Sequence, residues 1–108
     1  MAVPKYDKFI EPILRYLQVN PQGCAARDAH EAAAKFLGLT DVDMREVLPS
    51  GQVTYKNRSA WAHLRLKRAG LSSSPKRGYW RLTVQGTEYA KAHPTPMSTD
   101  DVEQLANG

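Results

Sequence analysis

Residues 54–81 read TYKNRSAWAHLRLKRAGLSSSPKRGYWR, and the order of patterns inside this stretch decides the fold. Up to Ala69 the apolar residues recur at helical spacing, which predicts a helix over about Lys56–Ala69 with Thr54 or Asn57 as its cap. Gly70 stands where a helix is closed by a left-handed residue. After Leu71 the period changes to two. Trp80, Leu82 and Val84 alternate with Tyr79, Arg81 and Thr83, and Ser74-Pro75-Lys76-Arg77-Gly78 supplies a turn. A helix followed by a hairpin with two adjacent cations at its tip is the end of a helix-turn-helix with a wing.

The flanking sequence supplies the remaining parts. Phe9, Ile13 and Leu17, with Ile10 and Leu14 beside them, form an apolar stripe that predicts a helix over Tyr6–Val19. Pro12 is tolerable only near its first turn, so this helix should start late or bend. A short strand is expected near Cys24–Ala26. A second helix follows over about Arg27–Leu37, burying Ala29, Ala32, Ala33, Phe36 and Leu37. Gly38 stops it, and Thr40 caps a short helix over Asp41–Val47. Thr83 can cap another over Val84–Ala92. The expected class is α+β, mainly helical: a winged helix-turn-helix of three to four helices plus a β-hairpin wing over residues 1–93. Residues 94–108 read as a tail, the start of a linker, with at most one turn capped by Ser98 and Asp101.

Charge is distributed unevenly. The stretch 54–81 carries Lys56, Arg58, Arg65, Lys67, Arg68, Lys76, Arg77 and Arg81, and no Asp or Glu. The rest of the chain has seven basic and eleven acidic side chains, a net of −4 against +8 in the block. Such a local excess points to a polyanion as partner. One cysteine, Cys24, cannot form an internal disulfide and reads as a small apolar residue in a reducing compartment. No apolar run of about 18 residues is present, and the N-terminus lacks the apolar core of a signal peptide.

On a helical wheel, Trp61, Ala62, Leu66 and Ala69 fall on a side assigned to the core, together with Leu71, Trp80 and Leu82 of the hairpin. Lys56, Ser59, Ala60, His63, Leu64 and Lys67 fall on the other side, a face suited to a major groove. Ser59 and His63 are the candidate base-edge contacts. Arg65 is expected to pair with Asp28 or Glu31. Lys76 and Arg77 at the wing tip would follow the backbone or reach into the minor groove. With Lys56 and Lys67 they would meet about four phosphates, giving a slope of roughly −3 to −4 in log K against log salt.

Catalytic patterns are lacking. His30, His63 and His93 lie on different elements and read as surface residues, so no metal ligand set is expected. No glycine-rich phosphate loop occurs, and no Asp-x-Lys or Glu-x-Lys is found for a metal-dependent nuclease.

Four segments carry a family resemblance: VPKYDKFIEPILRYL at 3–17, AARDAHEAAA at 25–34, YKNRSAWAHLRLKRAGL at 55–71 and RGYWRLTVQG at 77–86. Together they resemble the N-terminal domain of Mrr-type restriction endonucleases, over almost the whole chain to HPTPM at 93–97. The resemblance implies a winged-helix domain that recognises double-stranded DNA. In the family it precedes a PD-(D/E)xK nuclease domain that cleaves modified, chiefly methylated, DNA in the bacterial cytoplasm. The chain stops where the linker to that domain would begin. It is therefore expected to bind DNA without cutting it, and Mg²⁺ is expected only in the nuclease domain. Alternative roles are an interaction or oligomerisation module that regulates the nuclease domain, through self-association for example, or a stand-alone winged-helix regulator.

Overall fold

The computed structural model describes residues 3–108. Helix α1 (Asp7–Gln18) runs through the middle of the core. Phe9, Ile10, Ile13, Leu14 and Leu17 are fully buried, so its stripe faces inward along its whole length. Pro12 lies at its sixth residue, beyond the first turn. A proline there costs about 3 kcal/mol. Each buried large side chain contributes about 1.5–3 kcal/mol, so five of them outweigh the loss.

Strand β1 (Cys24–Ala25) leads into α2 (Ala26–Phe36). Ala29, Ala33 and Ala34 form the buried side of α2, while Phe36 points to solvent and Leu37 only edges the core. The phase differs from expectation because α2 approaches its neighbours through alanines, and a phenyl ring there would hold the helices apart. Helix α3 (Asp41–Arg45) begins at a reciprocal cap: the Asp43 amide donates to Thr40 Oγ1 at 3.1 Å, and the Thr40 amide to Asp43 Oδ2 at 3.0 Å. The connection to the next helix is closed by a Val47–Val53 bridge and by the Thr54 amide donating to the Glu46 carbonyl.

Helix α4 (Thr54–Arg68) starts two residues earlier than the sequence pattern indicates. Its N-cap is Val53, without a side-chain cap; Thr54 is fully buried inside the first turn, and Asn57 lies within the helix. Gly70 takes the left-handed conformation, φ +80°, that lets the chain turn back after α4. Strands β2 (Ser72–Lys76) and β3 (Tyr79–Leu82) then form the hairpin. Its turn is only Arg77-Gly78, shorter than the expected 74–78. A register shift between Ser73 and Lys76 accommodates Pro75, which has no amide to give to the ladder. The sheet is antiparallel, in the order β1-β3-β2, with Cys24 opposite Trp80 and Ser72 opposite Leu82.

Helix α5 (Val84–Ala92) is capped by Thr83, whose Oγ1 accepts from the Gly86 amide at 3.0 Å. At Gly86 a Cβ would sit 1.8 Å from the Leu71 carbonyl oxygen, so only glycine lets α5 lie against the start of the hairpin. Helix α6 (Thr99–Asn107) replaces the single turn expected in the tail. It docks on α1 and α4 and buries Leu105 and Ala106. Arg15 donates to the carbonyls of Ala90 and His93, and Glu11 Oε1 accepts from the Met97 amide at 2.9 Å. These bonds fasten the segment between α5 and α6 onto α1. The result is a mainly helical α/β domain with a small three-stranded sheet, an arrangement compatible with a winged helix. Among the described residues no helix is long and apolar enough to cross a membrane.

Candidate nucleic-acid interface

The surface of α4 follows from how it is packed. Tyr55, Ala62 and Leu66 are buried, and at about 100° per residue they define one inward side. Ser59 shares that side and is fully buried; His63 is 4% exposed. Both were expected on the outer face. They can sit inside because each has a polar partner there. Ser59 Oγ lies 2.7 Å from His30 Nδ1, and His63 Nε2 lies 3.0 Å from Ser72 Oγ. Trp80 of the hairpin lies between the two histidines. Its ring stacks on His63 at 3.9 Å with planes 2° apart, and His30 meets it edge-on at 5.2 Å. One layer of side chains thus joins α2, α4 and the hairpin.

Burial holds both imidazoles neutral. The pKa of His30 is lowered to about 4, chiefly by desolvation and further by Lys56. That of His63 is lowered to about 4 by desolvation, Lys67 and His30. Neither histidine is the surface residue that the sequence suggested. Cys24 is buried, and burial pushes its thiol pKa up, followed by the Asp28 charge. Among the described residues no three His, Cys, Asp or Glu side chains converge as a metal site.

Trp61 is the main departure on the outer side. Expected in the core, it is 45% exposed. Ala69 is also exposed. The inward side is taken by the fully buried Ala62 and Leu66, and Trp80 of the hairpin supplies the indole there. Ala62, Leu66, Leu71, Trp80 and Leu82 are buried. Opposite the buried side on the wheel lie Asn57, Trp61, Leu64 and Arg68, of which Trp61 and Arg68 are exposed and Asn57 and Leu64 half-buried; Asn57 Nδ2 donates to Gln52 Oε1 at 2.8 Å. The sequence held the signal for this phase. Tyr55, Ala62 and Leu66 are spaced at i, i+7 and i+11, and anchoring the wheel on them instead of on Trp61 and Ala69 turns Trp61 outward.

A hollow of about 600 Å³ lies between α4 and the hairpin. Lys56, Ala60, Leu64 and Lys67 line it from the helix, with Trp61 on its rim side and Ser74 from β2. Five of the eight residues named for DNA contact therefore share one hollow, since His63 also reaches it by its edge. Ser59 does not, and Lys76 and Arg77 stand apart at the exposed wing tip. Lys76 lies over the Tyr79 ring at 5.0 Å. Arg65 forms no pair with Asp28 or Glu31; it lies over the Tyr6 ring at 5.5 Å. Asp28 and Glu31 belong to α2, on the other side of the buried layer. The ion pairs among the described residues are Arg15–Glu11 and His93–Asp101, so no cation of the basic block is neutralised by a carboxylate.

These features define a small mainly helical domain whose basic helix and hairpin share one packed layer and form no ion pair with a carboxylate among the described residues. Residues 6–92 match the family described as the Mrr N-terminal domain, and the chain belongs to that family. It is 58% identical over 106 residues to the type IV methyl-directed restriction enzyme EcoKMrr of Escherichia coli strain K12. The match covers 98% of this chain and 35% of that relative, so the chain spans about a third of the relative's length. No solved structure matches.

Proposed function

We propose that this domain is a winged helix that binds double-stranded DNA for a type IV, modification-dependent restriction endonuclease of the bacterial cytoplasm. Helix α4 enters the major groove with Asn57, Trp61 and Leu64 toward the base edges. Lys56 and Lys67 meet phosphates beside it, and Lys76 and Arg77 carry the wing along the backbone. The supporting observation is that the eight cations of α4 and the hairpin form no ion pair with a carboxylate among the described residues. Cleavage belongs, in this reading, to a separate nuclease domain with its own Mg²⁺.

Trp61 and Leu64 give the groove-facing strip an apolar surface, which suits a methyl group on a base. Burying one methyl is worth about 0.8 kcal/mol, so a preference of about fourfold for a methylated site is expected. The test is fluorescence anisotropy of the domain with a methylated duplex and its unmethylated twin across a salt series. Salt-dependent binding with a methyl preference supports the reading in full. Salt-dependent binding without preference leaves the domain as a DNA tether. No binding at low salt overturns it.

The exposed Trp61 beside Leu64 also favours a second reading, in which this face meets a protein, the nuclease domain or another copy of the chain. Charge reversal at Lys67 and Lys76 separates the two. DNA affinity falls if the face binds phosphates, and only self-association changes if it binds protein.

A further inference from the structure

Helix α4 has two flanks, and the wing serves one of them. The opposite flank carries Arg58 and Arg65, about a quarter turn around the helix from the strip of Asn57, Trp61, Leu64 and Arg68. There the chain preceding α1 brings Lys5 and Tyr6 alongside, and a second hollow of about 330 Å³ opens between them and α4. Asn57 and Trp61 border both hollows, so they form the ridge that separates them.

We propose that Lys5, Arg58 and Arg65 form a second phosphate-binding site, which holds the DNA strand on the side of α4 away from the wing. This inference rests on the proposed binding of duplex DNA. A major groove is about 12 Å wide, and a helix with its side chains is about 10–12 Å across, so a helix seated there has a backbone along each flank. A wing alone leaves the second backbone unmatched.

The second flank is built for an anion. None of its three cations forms an ion pair among the described residues. Asp7, the nearest acid in sequence to Lys5, does not line the hollow. Arg65 is held in place rather than waving in solvent: its guanidinium lies over Tyr6, and its Nε is sealed from water without a partner. Tyr6 is fixed in turn, since its hydroxyl donates to the Ala106 carbonyl of α6 at 2.9 Å. An arginine fixed in this way loses little freedom on gripping a phosphate. Helix α6 thereby supports the site without touching DNA.

The test compares the chain with a Lys5→Gln/Arg58→Gln variant, both substitutions at solvent-accessible positions, with a thermal melt confirming that the variant folds. Each lost phosphate contact lowers the salt slope by about one, so the variant's slope should fall by about two, with weakening that is uniform across sequences. A scan of single methylphosphonates along each strand gives an independent reading. Phosphates on one strand should matter to the original chain and cease to matter to the variant. A variant that keeps the original slope and methylphosphonate profile, while Lys67→Gln/Lys76→Gln loses its own contacts, overturns the second site and leaves the proposed function standing. Failure of the unaltered chain to bind any duplex overturns both.

Discussion

The two sides of α4 use the same kinds of residue in opposite ways. The inner side buries a serine and a histidine, and the outer side exposes a tryptophan. Inside, Ser59 and His63 are acceptable because His30 and Ser72 satisfy them and Trp80 covers them. Outside, Trp61 is 45% exposed and Leu64 only half-buried. Polarity alone therefore does not tell which way a side chain faces. The availability of a partner does, and the consequence here is a packed, hydrogen-bonded layer beneath an exposed tryptophan.

The sharpest way to break this comparison is to truncate both tryptophans. Trp80→Ala removes a buried indole and uncovers two neutral histidines, at a cost of about 3–5 kcal/mol. That is a large share of the stability of a small domain, so its thermal transition should collapse or nearly so. Trp61→Ala should stay within about 1 kcal/mol of the original in the same melt. Its loss should appear in DNA affinity instead. Equal melting temperatures for the two variants would mean that the inner and outer sides have been misassigned.

Acid should attack the inner side alone. His30 and His63 have folded pKa values lowered to about 4 from an ordinary 6.5. Above pH 6.5 both are neutral in either state and cost nothing. Between 6.5 and 4 the unfolded chain takes up protons that the folded chain refuses, so stability falls with falling pH. The loss is complete near pH 4 and amounts to at most about 3 kcal/mol per histidine. Denaturation at pH 7 and at pH 4.5 measures it, and His30→Gln should flatten the profile. Imidazole resonances that titrate near 6.5 in the folded protein would contradict the burial of this layer.

Much of the fold could be read in the sequence because its signals were local. The stripe of α1, the caps at Thr40 and Thr83 and the stop at Gly70 each depend on residues within one turn. The hairpin was equally legible from the change of period after Leu71. What could not be read depended on distant partners. Nothing near His63 in sequence says that Ser72 will satisfy it, or that Trp80 will stack on it. The direction of Trp61 was missed because the wheel was phased on Trp61 and Ala69, which are both exposed. The basic block was legible by its charge, while the exposure of Trp61 within it was not. Helix α6 was underestimated because Glu11 and Arg15, which fasten its approach, lie far away on α1.

The smallest expected effect bears on how the outer flank is supported. Tyr6→Phe removes one hydroxyl, and with it the bond to the Ala106 carbonyl. A single hydrogen bond of this kind contributes about 1 kcal/mol, a shift of a few degrees in the melt. The ring remains under Arg65, so the cation–π contact should survive and DNA affinity should change little. The discriminating reading is amide exchange. If α6 is held by the N-terminal segment, its amides should lose protection selectively in Tyr6→Phe, while those of α4 and the hairpin keep theirs. Uniform loss across the domain would make Tyr6 a general core residue, and the outer flank would then owe its geometry to α4 alone.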